Sequence, residues 1–274
     1  MKKLTVALMA ACASAGAMAQ QAGDNVATVG WFHIMPQDSS NNLTTSVINA
    51  PINDPLRLPG SFTSPNSGLR VSNANTLGLT LTHFFTDNIA LTTIAGVPPE
   101  FKLTGHGVIR APGPAGALGH VDLDDPSNQP AVRKARQWSP GVILQWYFGH
   151  AQSTFRPFVG VGVVYSFFTH IELNPYFAAA VNRELGSVLA AGAGKPGPTY
   201  VEGKSSSSWA PIFNLGASYA INKQWALTAT VSYLPLKTEA ATVIKASDGT
   251  TLATTKTTLK ANPIITFVGV SYKF

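Results

Sequence analysis

Six histidines are the first candidates for chemistry: His33, His83, His106, His120, His150 and His170. A hydrolytic site would set one beside a nucleophile and an acid, and a metal site would space them with other ligands. They are instead scattered, and only His106 and His120 share a candidate loop. No serine lies in a nucleophile motif. The densest acidic run, His120-Val121-Asp122-Leu123-Asp124-Asp125, lacks the glycine and distal glutamate of a calcium loop and reads as solvated loop. Cys12 is the only cysteine, and it falls in a leader expected to be removed. No catalytic set, metal or cofactor is therefore expected, and the chain does not read as an enzyme.

Phosphate binding is a second possible chemistry. Formal charge is +6 and the pI is near 9.5. The basic residues are dispersed rather than striped along a helix, which argues against nucleic acid. Lys102, Arg133, Lys134, Arg136, Lys204, Lys237, Lys256 and Lys260 sit where candidate strands meet long connections, and only Lys223 sits in a short one. Arginine grips phosphate bidentately and lysine binds it as a point charge. Arg133, Lys134 and Arg136 are the candidate contacts to lipopolysaccharide.

The elements that hold these residues follow from the ends and the patterning. MKKLTVALMAACASAGAMAQ has a basic start, a short apolar run and Ala17-Met18-Ala19, the form of a signal peptide at 1–19 cleaved before Gln20. Lipoprotein processing at Cys12 is disfavoured because Met9 suits that motif poorly. Only 12% of residues are charged and 45% are hydrophobic, yet no mature stretch approaches ~18 consecutive apolar residues. Period-two alternation recurs instead. Trp225, Leu227, Ala229, Val231 and Tyr233 alternate with small residues. So do Val159, Val161, Val163 and Tyr165, and so do Leu77, Leu79 and Leu81. The opposite set is Gly, Ser and Thr, which suits a narrow barrel interior with the large side chains facing lipid. A soluble sandwich, with the large side chains inside, is the competing reading.

Eight strands are expected, near 25–36, 71–85, 89–101, 133–148, 155–171, 206–221, 224–240 and 254–274. Short turns at 86–88, 149–153 and 222–223 alternate with long loops near 37–70, 103–131, 173–205 and 242–253. Tyr176 to Leu189 could form a helix in the third. This is an all-β, eight-stranded antiparallel transmembrane β-barrel over 20–274, with short periplasmic turns and long extracellular loops, in the outer membrane of a Gram-negative bacterium. Trp138, Tyr147, Trp209, Tyr219, Trp225 and Tyr272 fit interfacial girdles. The chain ends FVGVSYKF. Val268, Val270, Tyr272 and Phe274 share one face, the form of a signal read by the barrel-assembly machinery.

LGLTLTHFFTDNIAL, Pro98-Pro99, LQWYFG, FRPFVGVGVVYSFF, SYAINKQWALTATVSY and the final SYKF closely resemble the OmpW family of outer-membrane proteins. The resemblance implies a monomeric barrel with a narrow apolar channel that takes up small hydrophobic molecules and releases them sideways into the membrane. It also implies an inward aromatic on the seventh strand, where this chain has Ser232. By parity Phe84, Thr92, Ile94, Val164, Phe168 and Leu234 point inward and are the expected channel lining, forming an apolar vestibule under the long loops above a polar base. Pro98, Pro99 and Pro235 each remove a ladder donor and are the candidate lateral gap. The alternative is a non-conducting barrel whose long loops bind lipopolysaccharide, surfaces or other ligands.

Overall fold

The computed structural model describes residues 20–274; the expected signal peptide lies outside the described residues. Eight strands close into a barrel: β1 (Asn25–Met35), β2 (Ala74–Phe84), β3 (Ile89–Gly96), β4 (Gly141–Tyr147), β5 (Phe155–Leu173), β6 (Ser208–Ala220), β7 (Trp225–Tyr233) and β8 (Ile264–Lys273). Neighbours in sequence pair antiparallel, and β8 returns to β1 from Val26–Lys273 to Met35–Ile264. Phe274 extends this closure, donating its N–H to Asn25 O at 2.9 Å. Closure leaves the membrane-facing wall without a free edge.

Face assignment follows the alternation. Leu77, Leu81, Leu144, Val161, Leu215, Val231 and Val268 are exposed on the outside. Thr28, Thr82, Thr92, Gln145, Asn214, Ser232 and Ser271 are buried inside. Trp138, Trp209, Tyr219, Trp225 and Tyr272 take the outward places expected of girdle residues. Tyr147 does not: it shares parity with Ile143 and Gln145 and is buried.

The long connections are not the loops that their composition suggests. Above the barrel the chain builds a second tier, here called the crown. Strands 68–71, 100–106 and 132–138 join the upper part of β5 in one sheet. Strands 39–40, 43–47, 61–64, 199–205, 237–246 and 251–260 form another. The expected loop at 242–253 is the end of a hairpin whose arms pair from Lys237–Lys260 to Lys245–Thr251. Its threonine-rich arms are good strand formers but carry little apolar alternation, so periodicity missed them.

The expected helix is present and longer. It runs Pro175–Val181, widens to a π-turn at Asn182–Gly186, and ends at Ser187–Gly192. Asn174 caps it, accepting from Tyr176 N–H at 3.0 Å. Phe177, Val181 and Ala190 bury against Leu43, Ile109, Val121 and Leu252, so the helix roofs the crown.

Barrel and crown meet at a waist. Seven of the eight wall strands break there, at Pro36, Ser72–Asn73, Val97–Pro99, Ser139–Pro140, Ser206–Ser207, Leu234–Leu236 and Ala261–Pro263. Proline lacks the donor that an uninterrupted ladder needs. Only β5 runs through.

Candidate functional site

The lumen is layered, and each layer follows from which inward positions carry which side chains. At the periplasmic base Val26, Phe84, Ala90, Tyr147 and Phe158 pack together. Arg156 is fully buried among them. Its guanidinium lies 5.2 Å from the Tyr147 ring centre and 6.0 Å from that of Phe84. It donates to Gln20 O at 2.6 Å and to Asp87 O. Gln20 is itself buried and donates from Nε2 to Ser218 Oγ at 2.9 Å. The base is tightly filled, but by an arginine-centred aromatic plug rather than by the polar groups expected. Phe84 belongs to this plug and not to a vestibule under the loops, because β2 ends at the periplasmic turn.

A polar belt follows. Thr82 bonds Thr92 (2.8 Å), Thr92 donates to Gln145 (2.6 Å), Gln145 to Asn214 (2.9 Å) and Asn214 to Ser232 (2.9 Å). Ser271 bridges Thr28 (2.9 Å) and Thr228 (2.7 Å). Thr92 therefore belongs to a hydrogen-bonded chain rather than to an apolar lining. The members satisfy one another, as buried polar groups must. A void of about 40 Å³ in the lumen, bordered by belt and plug residues and by Phe32, Ile94 and Phe267, has room for a few water molecules at most.

Near the waist the lumen turns apolar. Ile143, Val164, Ala210, Ile212, Leu234 and Leu236 form one cluster, with Ile94 and Ile265 against it. The inward aromatic missing at Ser232 is supplied from neighbouring strands. Phe32 on β1 and Phe267 on β8 pair across the seam with ring centres 4.4 Å apart. Phe32 lies over Gly78, where a Cβ would meet its ring at 2.0 Å. Sequence reasoning missed this pair, although glycines at 30, 78 and 269 on the same face were a signal that something bulky needed the room.

Above the waist lies a chamber of about 80 Å³. Phe101, Leu103, Ala135, Phe168, Ile171 and Leu259 are part of its apolar wall. Phe168 lines this chamber, whereas Ile94, Val164 and Leu234 belong to the apolar cluster near the waist. A bulge re-aims β5 here. Arg136 pairs Thr169 but Lys134 pairs Glu172, and His170 takes a left-handed φ of 52°. The inserted residue flips parity, so that Ile171 and Leu173 line the chamber while His170 and Glu172 are exposed.

The prolines mark real breaks in the wall. Pairing of β3 with β4 ends at Ile94–Gly141 and resumes only where Gln137 N–H reaches Pro99 O at 3.0 Å. Pro98 borders this interval, with Pro140 opposite, a residue the sequence reading did not single out. Pairing of β6 with β7 ends at Phe213–Tyr233 and resumes at Ser206 N–H to Glu239 O, 2.9 Å. Pro235 lies in that second interval, and Leu234 and Leu236 close it from inside. Gln137 lines the chamber, so the first break adjoins the apolar space.

The basic trio sits on the strand above that break, but two of its members are engaged. Glu100 accepts from Arg136 at 2.8 Å and lies 3.0 Å from Lys134 Nζ. Hydrogen bonds from Arg136 and then Lys134 hold its carboxyl below the usual carboxylate range. Among the described residues no group of three His, Cys, Asp or Glu is placed to hold a metal ion.

A family model described as the OmpW family matches residues 21–274. Outer membrane protein W of Vibrio cholerae is 30% identical over 98% of this chain and 97% of its own length. Outer membrane protein AlkL of Ectopseudomonas oleovorans is 26% identical over 78% of this chain and 73% of its own. The crystal structure of OprG from Pseudomonas aeruginosa superposes with a TM-score of 0.68 at 22% identity, covering 94% of this chain and 99% of that one. The closed eight-strand wall, its lipid-facing alternation and this full-length match together make the chain a member of the OmpW family, a β-barrel of the Gram-negative outer membrane.

Proposed function

We propose that the protein passes small hydrophobic molecules from the cell surface into the outer membrane by a narrow apolar route with lateral release, and that it is not an enzyme. The observation that carries this reading is the layering. Among the described residues the apolar chamber lies outward of the polar belt, while the base is closed by Arg156 and its aromatic neighbours. A hydrophobic molecule in the chamber has no favourable way down through satisfied polar groups. The break between β3 and β4, beside Gln137 and Pro98, is the nearest way sideways. In this reading Phe168, Ile94, Val164 and Leu234 are the cargo contacts. Thr92 and Phe84 act below them as barrier and plug. The FVGVSYKF strand serves the assembly machinery, and Arg133, unlike its two neighbours, is left for lipopolysaccharide.

The test is uptake of naphthalene into lipid vesicles bearing the folded protein. Phe168→Asp places a charge in the chamber and is expected to lower the initial rate at least about tenfold while heat-modifiable migration stays normal. Wild-type uptake no faster than that of an unrelated barrel of the same strand number would sink the transport reading. It would favour the non-conducting alternative.

A further inference from the structure

The largest cavity described in the molecule is not in the lumen. It lies on the outer side of the crown and measures about 460 Å³. Three separate segments build it: the turn around Ile52–Leu58, the loop 111–119, and the second half of the roof helix, with strand residues Val47 and Phe62 between them. These segments approach one another closely at two glycines, one facing backbone and one facing a side chain. A Cβ on Gly119 would lie 2.0 Å from Glu184 O, and one on Gly192 would lie 2.5 Å from Ile52 Cγ2. The walls are therefore positioned by close glycine contacts.

The lining chemistry limits what can occupy it. Ile52, Leu56, Leu118, Leu185, Val188 and Leu189 face the space. Its two polar side chains are already committed. Thr45 Oγ1 bonds Thr255 Oγ1 at 2.9 Å, and Glu184 Oε1 accepts from Arg183 Nε at 2.8 Å. Apart from the second oxygen of Glu184, which sits with Arg183 at the partly exposed side, the lining is apolar, and an unpaired polar group would be costly to bury there. The volume lies in the roughly 300–1,000 Å³ range of small-molecule sites. Leu185, Leu189 and Val47 also pack on the crown core, whose Leu173 lines the lumen chamber. The π-turn of the roof helix, Asn182–Gly186, supplies Glu184 and Leu185 to the cavity wall. Such turns concentrate at functional positions.

We propose that this crown cavity is a receiving site for an uncharged apolar small molecule, of hydrocarbon type, held on the outer surface before it crosses the roof into the lumen chamber. Its place in a transport route rests on the function proposed above; its binding does not. The experiment uses the full chain in lipid nanodiscs, with empty nanodiscs as the blank and radiolabelled naphthalene as the probe. The Leu118→Asp/Val188→Asp double variant alters two partly exposed positions, and normal heat-modifiable migration checks its fold. Wild type is expected to bind at two saturable sites. The double variant should lose one of them, its affinity falling at least about tenfold, whereas Phe168→Asp should keep that site and lose the other. Uptake by the double variant should fall most at low naphthalene concentration. Binding by the double variant equal to wild type would overturn the crown site. Loss of crown binding together with no wild-type uptake would uphold this site and reject the transport reading instead. Loss of crown binding with uptake unchanged at every concentration would reject the site's place on the route.

Discussion

The barrel and the crown are both antiparallel sheets of one chain, divided by a waist, and they are inside out relative to each other. In β7 the exposed residues Leu227, Val231 and Tyr233 face lipid, and Ser232 is buried. Beyond Pro235, in strand 237–246, Val243 and Ile244 are buried while Lys237 and Glu239 are exposed. Apolar and polar side chains are sorted in both regions, by strict alternation only in the barrel. The solvent at each level decides which set goes out. Below the waist the outside is hydrocarbon, so burial there gains nothing for a leucine and the interior is held by hydrogen bonds. Above it the outside is water, and the hydrophobic effect packs the inside.

The largest effect that tests this contrast is on closure. Deleting Phe274 removes its N–H bond to Asn25 O and the end of the β8–β1 seam. Folded, heat-modifiable protein is expected to fall sharply in cells, and the crown with it, since the crown is carried on the barrel strands. A folded-band yield equal to wild type would show that the seam and its recognition do not depend on the terminal residue.

A smaller effect is expected from Arg156→Ala. The substitution leaves Gln20 O and Asp87 O without their donor and opens a void among Phe84, Tyr147 and Phe158. A loss of about 2–4 kcal/mol in urea unfolding is expected, with measurable ion conductance appearing in planar bilayers. Unchanged stability and conductance would mean that the plug neither holds nor seals the base.

The smallest effect lies in the crown. Asp248 at the hairpin tip pairs with Lys195 just past the roof helix and accepts from Thr250 N–H at 2.9 Å. The Lys195 hydrogen bond, with help from Thr250, holds its carboxyl well below the usual carboxylate range. A carboxyl lowered on folding contributes stability that is fully present above its unfolded value of about 3.9 and is lost as pH falls through the lower folded value. Hydrogen exchange at residues 245–250, corrected for intrinsic rates, should therefore quicken below about pH 4, while β1 and β8 show no parallel change. Lys195→Gln should abolish most of this dependence. An equal response of tip and barrel would break the contrast between the two regions.

What the sequence determined by itself was the barrel: eight strands, their facing, the short turns and the closing strand. Lipid on one side and a filled lumen on the other force a strict period of two, and that is legible residue by residue, as Leu77-Gly78-Leu79-Thr80-Leu81 shows. The tertiary structure decided the rest. Tyr147 has the composition of a girdle residue although its parity with Ile143 and Gln145 is legible, and only closure shows it packed between Phe84 and Phe158. Arg156 looks like a turn-side charge until closure brings Gln20, Asp87 and two aromatic rings around it. Phe32 and Phe267 are distant in sequence and become a constriction only where β1 meets β8. The bulge at His170 reverses the inward face of β5 by one residue, and no alternation rule read along a single strand can foresee a slip that the partner strand imposes.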